Sequence, residues 1–280
     1  MVTDNETCPD ANMALHSILE RVMSMGNVSA PRGKPVREIL GMTTTFDMAY
    51  PLVTRTARKL GYRFAPAEAA WILSGSNDLE RIKKYSPFIW EFSDDGFFYQ
   101  GAYGPRVIDQ LTYVCDVLSD DHDTRQAVIE VWRPNPRPGR DIPCTLSYQF
   151  IARQGRLHCI QSMRSSDAWL GYPYDVFNAA MLTGYIILLL RDRKAKGRKD
   201  LKIGTHTMCV GSQHIYEPQW KQSIDYCTDI GTLFTPRAFD PNEFPSPQSL
   251  IDVLWKLAAK DWDVLASTTY LAKELRALTE

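Results

Sequence analysis

The chain has few of the features that mark several large classes of protein. Its six cysteines are scattered without CxxC spacing, which argues against a disulfide scaffold and favours a reducing cytoplasm. Its five histidines form no HExxH-like pair, so we expect no metal site. The formal net charge of −1 predicts no surface for duplex nucleic acid, although a single nucleotide needs only a few cations.

Membrane segments are not expected either. Residues 1–6 are polar and acidic, unlike a secretory signal. The longest apolar run, within residues 181–190, is too short to span a bilayer and predicts a buried helix. We therefore expect a cytoplasmic protein with no membrane partner.

What the chain does contain is an ordinary globular mixture, with 44% hydrophobic and 23% charged residues. Its 280 residues are enough for one large domain or two small ones. Because it shows no repeat, low-complexity linker or clear boundary, we expect a single domain over residues 1–280.

Apolar spacing predicts four helical regions. They are residues 11–25, 67–74, 176–190 and the helical patterns from 247 to 278. Asp175 stands immediately before the third helix, where an N-cap residue is expected.

Alternating apolar residues predict strands over residues 127–132, 145–152 and 157–163, and Gln154-Gly155 joins the last two as a hairpin. Residues 206–216 are expected to mix strand and loop. Because helices and strands alternate irregularly, the sequence predicts an α+β (mixed α/β) fold rather than a doubly wound parallel sheet.

A candidate nucleophile lies at the start of one predicted strand. Cys144 follows Pro143, and Arg164 with Ser165 ends the neighbouring strand. A guanidinium beside a thiol increases its thiolate fraction, and together with a hydroxyl it can bind a phosphate. Taken alone, however, Cys144 is better explained as a small buried apolar residue, and Arg164 is equally explained as one half of a surface ion pair with Asp167.

Further polar residues have the same two explanations. His214 and Tyr216 alternate on one strand and either contact a sugar or are ordinary half-buried aromatics. Arg32 and Arg125 are candidate phosphate cations, although solvated surface is the default for single arginines. It is the order and spacing of the whole set that indicate a nucleotide site.

This ordered set resembles the thymidylate synthase family over residues 30 to 220. The matching segments are Pro143-Cys144, Gln149-Phe150, Arg164-Ser165-Ser166-Asp167, Leu170-Gly171, Pro173-Tyr174-Asp175, Gly211 and His214-Ile215-Tyr216, with Glu68, Trp71 and residues 51–54, 101–104 and 124–128 upstream. The resemblance implies a mixed β-sheet flanked by helices, with the sheet packed against that of a second protomer. It also implies a variable N-terminal helix and a divergent C-terminal helical segment.

Four positions depart from the family pattern. Thr145 replaces the His that follows the nucleophile, Met163 replaces a Gln, Ser212 replaces an Asp, and Asp175 replaces the Asn that reads uracil. In these departures the chain is similar to the cytidylate (CMP or dCMP) 5-hydroxymethylases, which make a modified pyrimidine.

The exchange at Asp175 has a physical reason of its own. An amide can satisfy both N3–H and O4 of uracil, whereas cytosine has a bare N3 and an amino donor. A carboxylate accepts from that amino group and stabilises a proton arriving at N3. Facing uracil, it would oppose O4 with another acceptor, at a cost of about 1–3 kcal/mol for each unpaired group.

The resemblance implies a reaction and a set of roles. Cys144 would add to C6 of cytosine, C5 would take the one-carbon unit of 5,10-methylenetetrahydrofolate, and Glu68 would order the water that completes a hydroxymethyl group. The implied nucleotide-binding residues are Arg32, Arg164 and Ser165 at the phosphate, Arg125 from the other protomer of a homodimer, His214 and Tyr216 at the sugar, and Asp175 at the base. The implied folate-binding residues are Asp167, Leu170, Gly171 and Tyr174.

Two alternatives remain open from the sequence. One is a thymidylate synthase-type methylase of dUMP or dCMP, and the other is a non-catalytic nucleotide- or RNA-binding protein. Gln126 stands where the family has a second partner-subunit arginine, so Lys34, Arg133 and Arg140 are candidate replacements. Residues 271–280 are expected to be helical and lack the family's closing tail.

Overall fold

Helices pack around one mixed sheet. The computed structural model describes residues 7–55, 57–58, 60–86, 88–136, 138–193, 200–228, 237–261 and 270–279 of the chain. The helices are α1 (Ala11–Met25), α2 (Phe64–Leu73), α3 (Leu79–Ile82), α4 (Tyr103–Ile108), α5 (Leu111–Asp120), α6 (Tyr172–Asp192), α7 (Trp220–Thr228), α8 (Pro247–Ala259) and α9 (Tyr270–Thr279). The strands are β1 (Asn27–Ser29), β2 (Val36–Asp47), β3 (Val128–Glu130), β4 (Thr145–Arg153), β5 (Arg156–Met163), β6 (Ser166–Asp167) and β7 (Lys202–Tyr216).

The long strand β7 lies at the centre of the sheet. The strand order is β1-β2-β7-β5-β4-β3, and β6 also pairs with β7. β7 is antiparallel to β2 and parallel to both β5 and β6. Parallel pairing brings Met163 opposite Val210 and Asp167 opposite His214. The mixed sheet with its helices confirms the α+β prediction.

The first helix shows how apolar spacing is converted into packing. Leu15, Ile18, Leu19 and Val22 follow the helical repeat and are fully buried. Burying each such side chain contributes about 1.5–3 kcal/mol. The Asp10 carboxylate accepts from the Met13 N–H at 2.8 Å and caps the helix where the sequence predicts its start.

Helix α6 runs through the core. It has 21 residues and is long and apolar enough to cross a membrane by length and composition alone. However, 72% of its most apolar 18-residue stretch is buried inside the protein. This packing agrees with the buried helix predicted from the sequence.

The hairpin prediction is confirmed, and the bounds of two other elements differ from expectation. Gln154 and Gly155 have φ of 51° and 71°, as a two-residue turn with both central residues left-handed requires. α2 begins at Phe64 rather than Ala67, and β3 is shorter than the predicted strand 127–132. The C-terminal helical pattern is present as α8 and α9, while residues 262–269 lie outside the described residues.

The N-cap assigned to Asp175 is wrong. α6 begins at Tyr172 with Gly171 in the cap position, so Asp175 lies inside the first turn. Its N–H donates to the Gly171 carbonyl at 3.1 Å. The helix starts early because Pro173 has the fixed φ that suits a first turn.

The mixed strand and loop expected over residues 206–216 is also wrong. These residues belong to the uninterrupted strand β7. Pairing with β2 on one side and β5 on the other satisfies the backbone along its length, which local sequence preference does not reveal.

Candidate functional site

A cavity of about 2070 Å³ opens where β5, β6 and β7 end. Its wall contains all but one of the site residues suggested by the sequence: Arg32, Glu68, Cys144, Arg164, Ser165, Asp167, Leu170, Gly171, Tyr174, Asp175, His214 and Tyr216. The exception, Arg125, lies in the exposed segment before β3, where its carbonyl accepts from Gln149 Nε2 at 2.8 Å. Its role across a dimer interface stays a prediction.

The Cys144 thiol is half-buried in this wall, immediately before β4. Its Sγ lies 3.7 Å from both Arg164 Nη2 and Ser165 Oγ. Burial raises the pKa of the thiol, while the Arg164 charge and the Ser165 hydroxyl lower it. The surroundings therefore oppose the thiolate by desolvation and favour it by charge.

Arg164 also organises the backbone around the thiol. Its Nε and Nη2 donate to the carbonyls of Pro143 and Ile142 at 2.9 and 3.0 Å, and its Nη1 donates to Ser165 Oγ at 3.1 Å. The β7 backbone approaches it closely, because a Cβ at Gly211 would lie 2.7 Å from the Arg164 carbonyl oxygen. Only glycine allows this approach without a shift.

Thr145 does not take the place of the family histidine at the cavity. Its hydroxyl is fully buried and accepts from Gln161 Nε2 at 2.8 Å, and Gln161 Oε1 lies 3.0 Å from His206 Nε2. Burial lowers the pKa of His206 to about 3, so its ring is neutral. A bulge between Thr145 and Ser147 interrupts the alternation of β4 at this point.

Asp175 presents its carboxyl to the cavity from the first turn of α6. In the described part of the chain, no hydrogen bond to this carboxyl contributes to its ionisation. Burial raises its pKa well above the usual range, and the charges of Glu68 and Asp167 raise it further. The protonated form, with one donor and one acceptor, is therefore favoured.

Glu68 faces the same cavity from α2. Asn178 Nδ2 donates to its Oε2 at 2.8 Å. Burial raises the pKa of Glu68 to about 7, although the Asn178 hydrogen bond opposes the shift. Glu68 therefore exchanges its proton near neutral pH, as a general acid–base group should.

His214 and Tyr216 lie together at the end of β7. Their rings meet edge to face with centroids 5.2 Å apart. His214 Nδ1 lies 3.3 Å from the Ser212 carbonyl. Donation from Nδ1 leaves Nε2 for a ligand hydroxyl.

The sequence motifs do not identify Glu38, which lines the cavity, or Asn178, which donates to the lining residue Glu68. The Glu38 carboxylate accepts from Ser212 and from Ser29, at 2.6 Å for Ser29, and these bonds lower its pKa. Glu38 thus supplies a carboxylate near His214 in the cavity wall, where Ser212 stands in place of the family aspartate. A single glutamate in a strand or asparagine in a helix has no sequence signal that could have identified it.

Asp167 and Leu170 lie at the mouth of the cavity. Asp167 Oδ1 accepts from the Trp169 and Leu170 N–H groups, each at 2.9 Å. Leu170 is 49% exposed, and Phe88 and Phe92 on the opposite loop are 69% and 54% exposed. An apolar mouth with one carboxyl suits a ligand with aromatic rings and ring N–H donors.

The three candidates to replace the family arginine at position 126 lie at different places relative to the cavity. Lys34 and Arg140 line the cavity, whereas Arg133 is not among the described residues that line it. Arg140 Nε lies 3.5 Å from Asp94 Oδ1, so its charge is partly neutralised. Lys34 has no ion-pair partner among the described residues and belongs to the same turn as Arg32.

Among the described residues, no cluster of three or more His, Cys, Asp or Glu could hold a metal.

Comparison with known proteins relates the chain to a family. A model of the thymidylate synthase family matches residues 14–229, which include the whole described cavity wall. The deoxyuridylate hydroxymethyltransferase of Bacillus phage SP01 is 33% identical over 174 residues, covering 55% of this chain and 45% of the relative. The chain thus spans about half the length of this curated relative.

Proposed function

The chain belongs to the thymidylate synthase family, and on that basis we propose that it is a folate-dependent one-carbon transferase acting on a pyrimidine nucleoside monophosphate. The nucleotide is a cytidylate, CMP or dCMP, and the product carries a hydroxymethyl group at C5. The one-carbon unit comes from 5,10-methylenetetrahydrofolate. The observation that carries the cytidylate proposal is the Asp175 carboxyl, which faces the same cavity as the Cys144 thiol.

Cys144 is the nucleophile in this proposal. Its thiolate adds to C6 of the pyrimidine, and C5 thereby becomes nucleophilic toward the one-carbon unit. Arg164 lies 3.7 Å away and favours the ionised sulfur while holding the backbone on which it sits.

Asp175 reads the base. The protonated carboxyl donates to N3 of cytosine and accepts from its amino group, so both hydrogen bonds are satisfied. As Cys144 adds to C6, negative charge builds on N3 and the Asp175 proton moves toward it. Uracil has no basic ring nitrogen at this edge and cannot take up that proton.

Glu68 prepares the final step. Loss of the C5 proton to solvent and departure of tetrahydrofolate leave an exocyclic methylene. Water adds to this methylene, and the C6–S bond then breaks to release the product and return the Cys144 thiolate. Because the pKa of Glu68 is about 7, its carboxylate can accept a proton from this water near neutral pH.

The rest of the wall binds the two substrates. Arg32, Arg164 and Ser165 hold the phosphate, His214 and Tyr216 hold the sugar, and Asp167, Leu170, Gly171 and Tyr174 contact the folate. Arg125 reaches the phosphate from the partner in a homodimer. The enzyme works in the cytoplasm on free nucleotides.

A second candidate is hydroxymethylation of a uridylate. The relative from phage SP01 is named for deoxyuridylate. A protonated Asp175 could also donate to O4 of uracil and accept from N3–H. The two candidates differ only in the base, so a direct comparison of substrates separates them.

The decisive experiment is turnover of CMP, dCMP and dUMP by the whole chain with 5,10-methylenetetrahydrofolate, followed by mass spectrometry of the nucleotide. We expect hydroxymethylated cytidylate as the main product, and its loss in Cys144→Ala. A methylated product with formation of dihydrofolate would instead establish a synthase-type methylase. Absence of C5 tritium release from all three labelled nucleotides would indicate a non-catalytic nucleotide-binding protein.

A further inference from the structure

One side chain of helix α6 donates a hydrogen bond to Glu68. Asn178 lies three residues after Asp175, on the same side of the helix, and its Nδ2 donates to Glu68 Oε2 at 2.8 Å. Asn178 Oδ1 is buried and has no hydrogen-bond partner among the described residues. Since a buried amide oxygen without a partner is unfavourable, packing alone does not account for an asparagine here.

We propose that Asn178 is a positioning residue whose amide orients the Glu68 carboxylate and favours its deprotonated form. This inference rests on the proposed function, in which that carboxylate takes a proton from the attacking water. The orientation of the amide matters, because an oxygen facing Glu68 would repel a carboxylate whereas the N–H group stabilises it. The same helix therefore carries the base reader and the group that prepares Glu68.

Other titratable groups around Glu68 act in a different way. Asp175 and Tyr174 on α6 feel the negative charge of Glu68, and that charge raises the pKa of both. Tyr103 on α4 and Arg58 line the same cavity. In the described part of the chain, α3 and α8, which also pack on α2, place no titratable side chain in the cavity wall. The hydrogen bond that stabilises the carboxylate comes from Asn178.

The expected effect of removing this bond has a definite sign. Burial raises the pKa of Glu68 and the Asn178 bond lowers it, so Asn178→Leu should raise it by about one further unit. The step that needs ionised Glu68 slows about tenfold for each pH unit below that pKa. The acidic limb of the pH–rate profile should therefore move to higher pH by the same amount.

The direct test is a carbon-13 NMR titration of the glutamate carboxyl carbons in the whole protein, with the Glu68 signal assigned by Glu68→Gln. We expect the titration midpoint to rise by about one unit in Asn178→Leu. Asn178→Ala serves if the leucine variant does not fold. Thr183→Val, which removes a polar group elsewhere on α6, should leave the midpoint unchanged. An unchanged midpoint in the Asn178 variants would overturn the proposal.

Turnover adds a second, separable readout. A raised midpoint together with an unshifted pH–rate profile would overturn a role for Asn178 in the reaction. If the wild-type chain converts neither CMP, dCMP nor dUMP, the proposed function fails. The NMR titration still decides whether Asn178 controls the protonation of Glu68.

Discussion

Arg164 Nη2 lies 3.0 Å from the Ile142 carbonyl and 3.7 Å from the Cys144 Sγ. One guanidinium thus anchors the backbone that carries the thiol and supplies positive charge beside the sulfur. Geometry and charge at the thiol depend on the same side chain, so they should be lost together.

Arg164→Lys is expected to lower turnover about a hundredfold, because an ammonium cannot bind both carbonyls while remaining beside the sulfur. Burial already raises the pKa of Cys144, and weakening the cation should raise it further. Less thiolate then exists at neutral pH. The pH dependence of Cys144 alkylation, followed by peptide mass spectrometry, should move upward. Arg193→Lys, which alters an ion pair with Asp116 away from the cavity lining, is the control, and equal alkylation in both variants would argue against the assigned role.

Asp175→Asn should transfer preference from cytosine to uracil, since an amide cannot deliver a proton to N3. We expect the ratio of kcat/KM for dCMP over dUMP to fall about ten- to a hundredfold. Competition between the two nucleotides measures this ratio directly. Asp192→Asn at the far end of α6 is the matched control. A ratio that stays constant in Asp175→Asn would remove this residue as base reader.

Lys34→Ala should raise the KM for the nucleotide about fivefold and leave kcat nearly unchanged, because an exposed cation at the phosphate contributes about 1 kcal/mol. The effect should shrink as ionic strength increases. Arg133→Ala removes a cation outside the described cavity wall and serves as the control. Equal KM values in the two variants would show that Lys34 does not compensate for Gln126.

Gly211→Ala should destabilise the protein by about 1–3 kcal/mol, because the new Cβ would lie 2.7 Å from the Arg164 carbonyl oxygen. Turnover should fall as well, since relief of the contact displaces Arg164. Urea unfolding measures the first effect and steady-state kinetics the second. Cys209→Ala, two residues earlier on β7, should be close to wild type. Wild-type stability in Gly211→Ala would contradict the close packing of the two strands.

Features set by local interactions are predictable from the sequence. The hairpin at Gln154-Gly155 depends on its own turn residues, and α1 on the spacing of its own apolar side chains. The full length of strand β7 is not predictable in this way, because its backbone partners lie more than 30 residues away along the chain, in β2 and β5. The cap predicted at Asp175 is wrong for a different and local reason, since the helix start depends on its near neighbours Gly171 and Pro173.

The candidate site likewise contains some residues that are predictable from the sequence and others that are not. The order of the motif alone is enough to predict that Cys144, Arg164 and His214 share one site. Glu38 and Asn178 join that site only because neighbouring elements of the fold bring them to Ser212 and Glu68. Such pairings are tertiary contacts without a fixed spacing in sequence.

The central position of β7 has a consequence for the chain as it is synthesised. Until residues 202–216 have emerged, β7 is missing from between β2 and β5, and each of these two strands presents one long unpaired edge. Unpaired edges of this kind are templates for association between chains. Truncation upstream of Lys202 should therefore produce aggregates rather than a smaller folded protein, and a nascent chain is open to association at these edges until β7 is available.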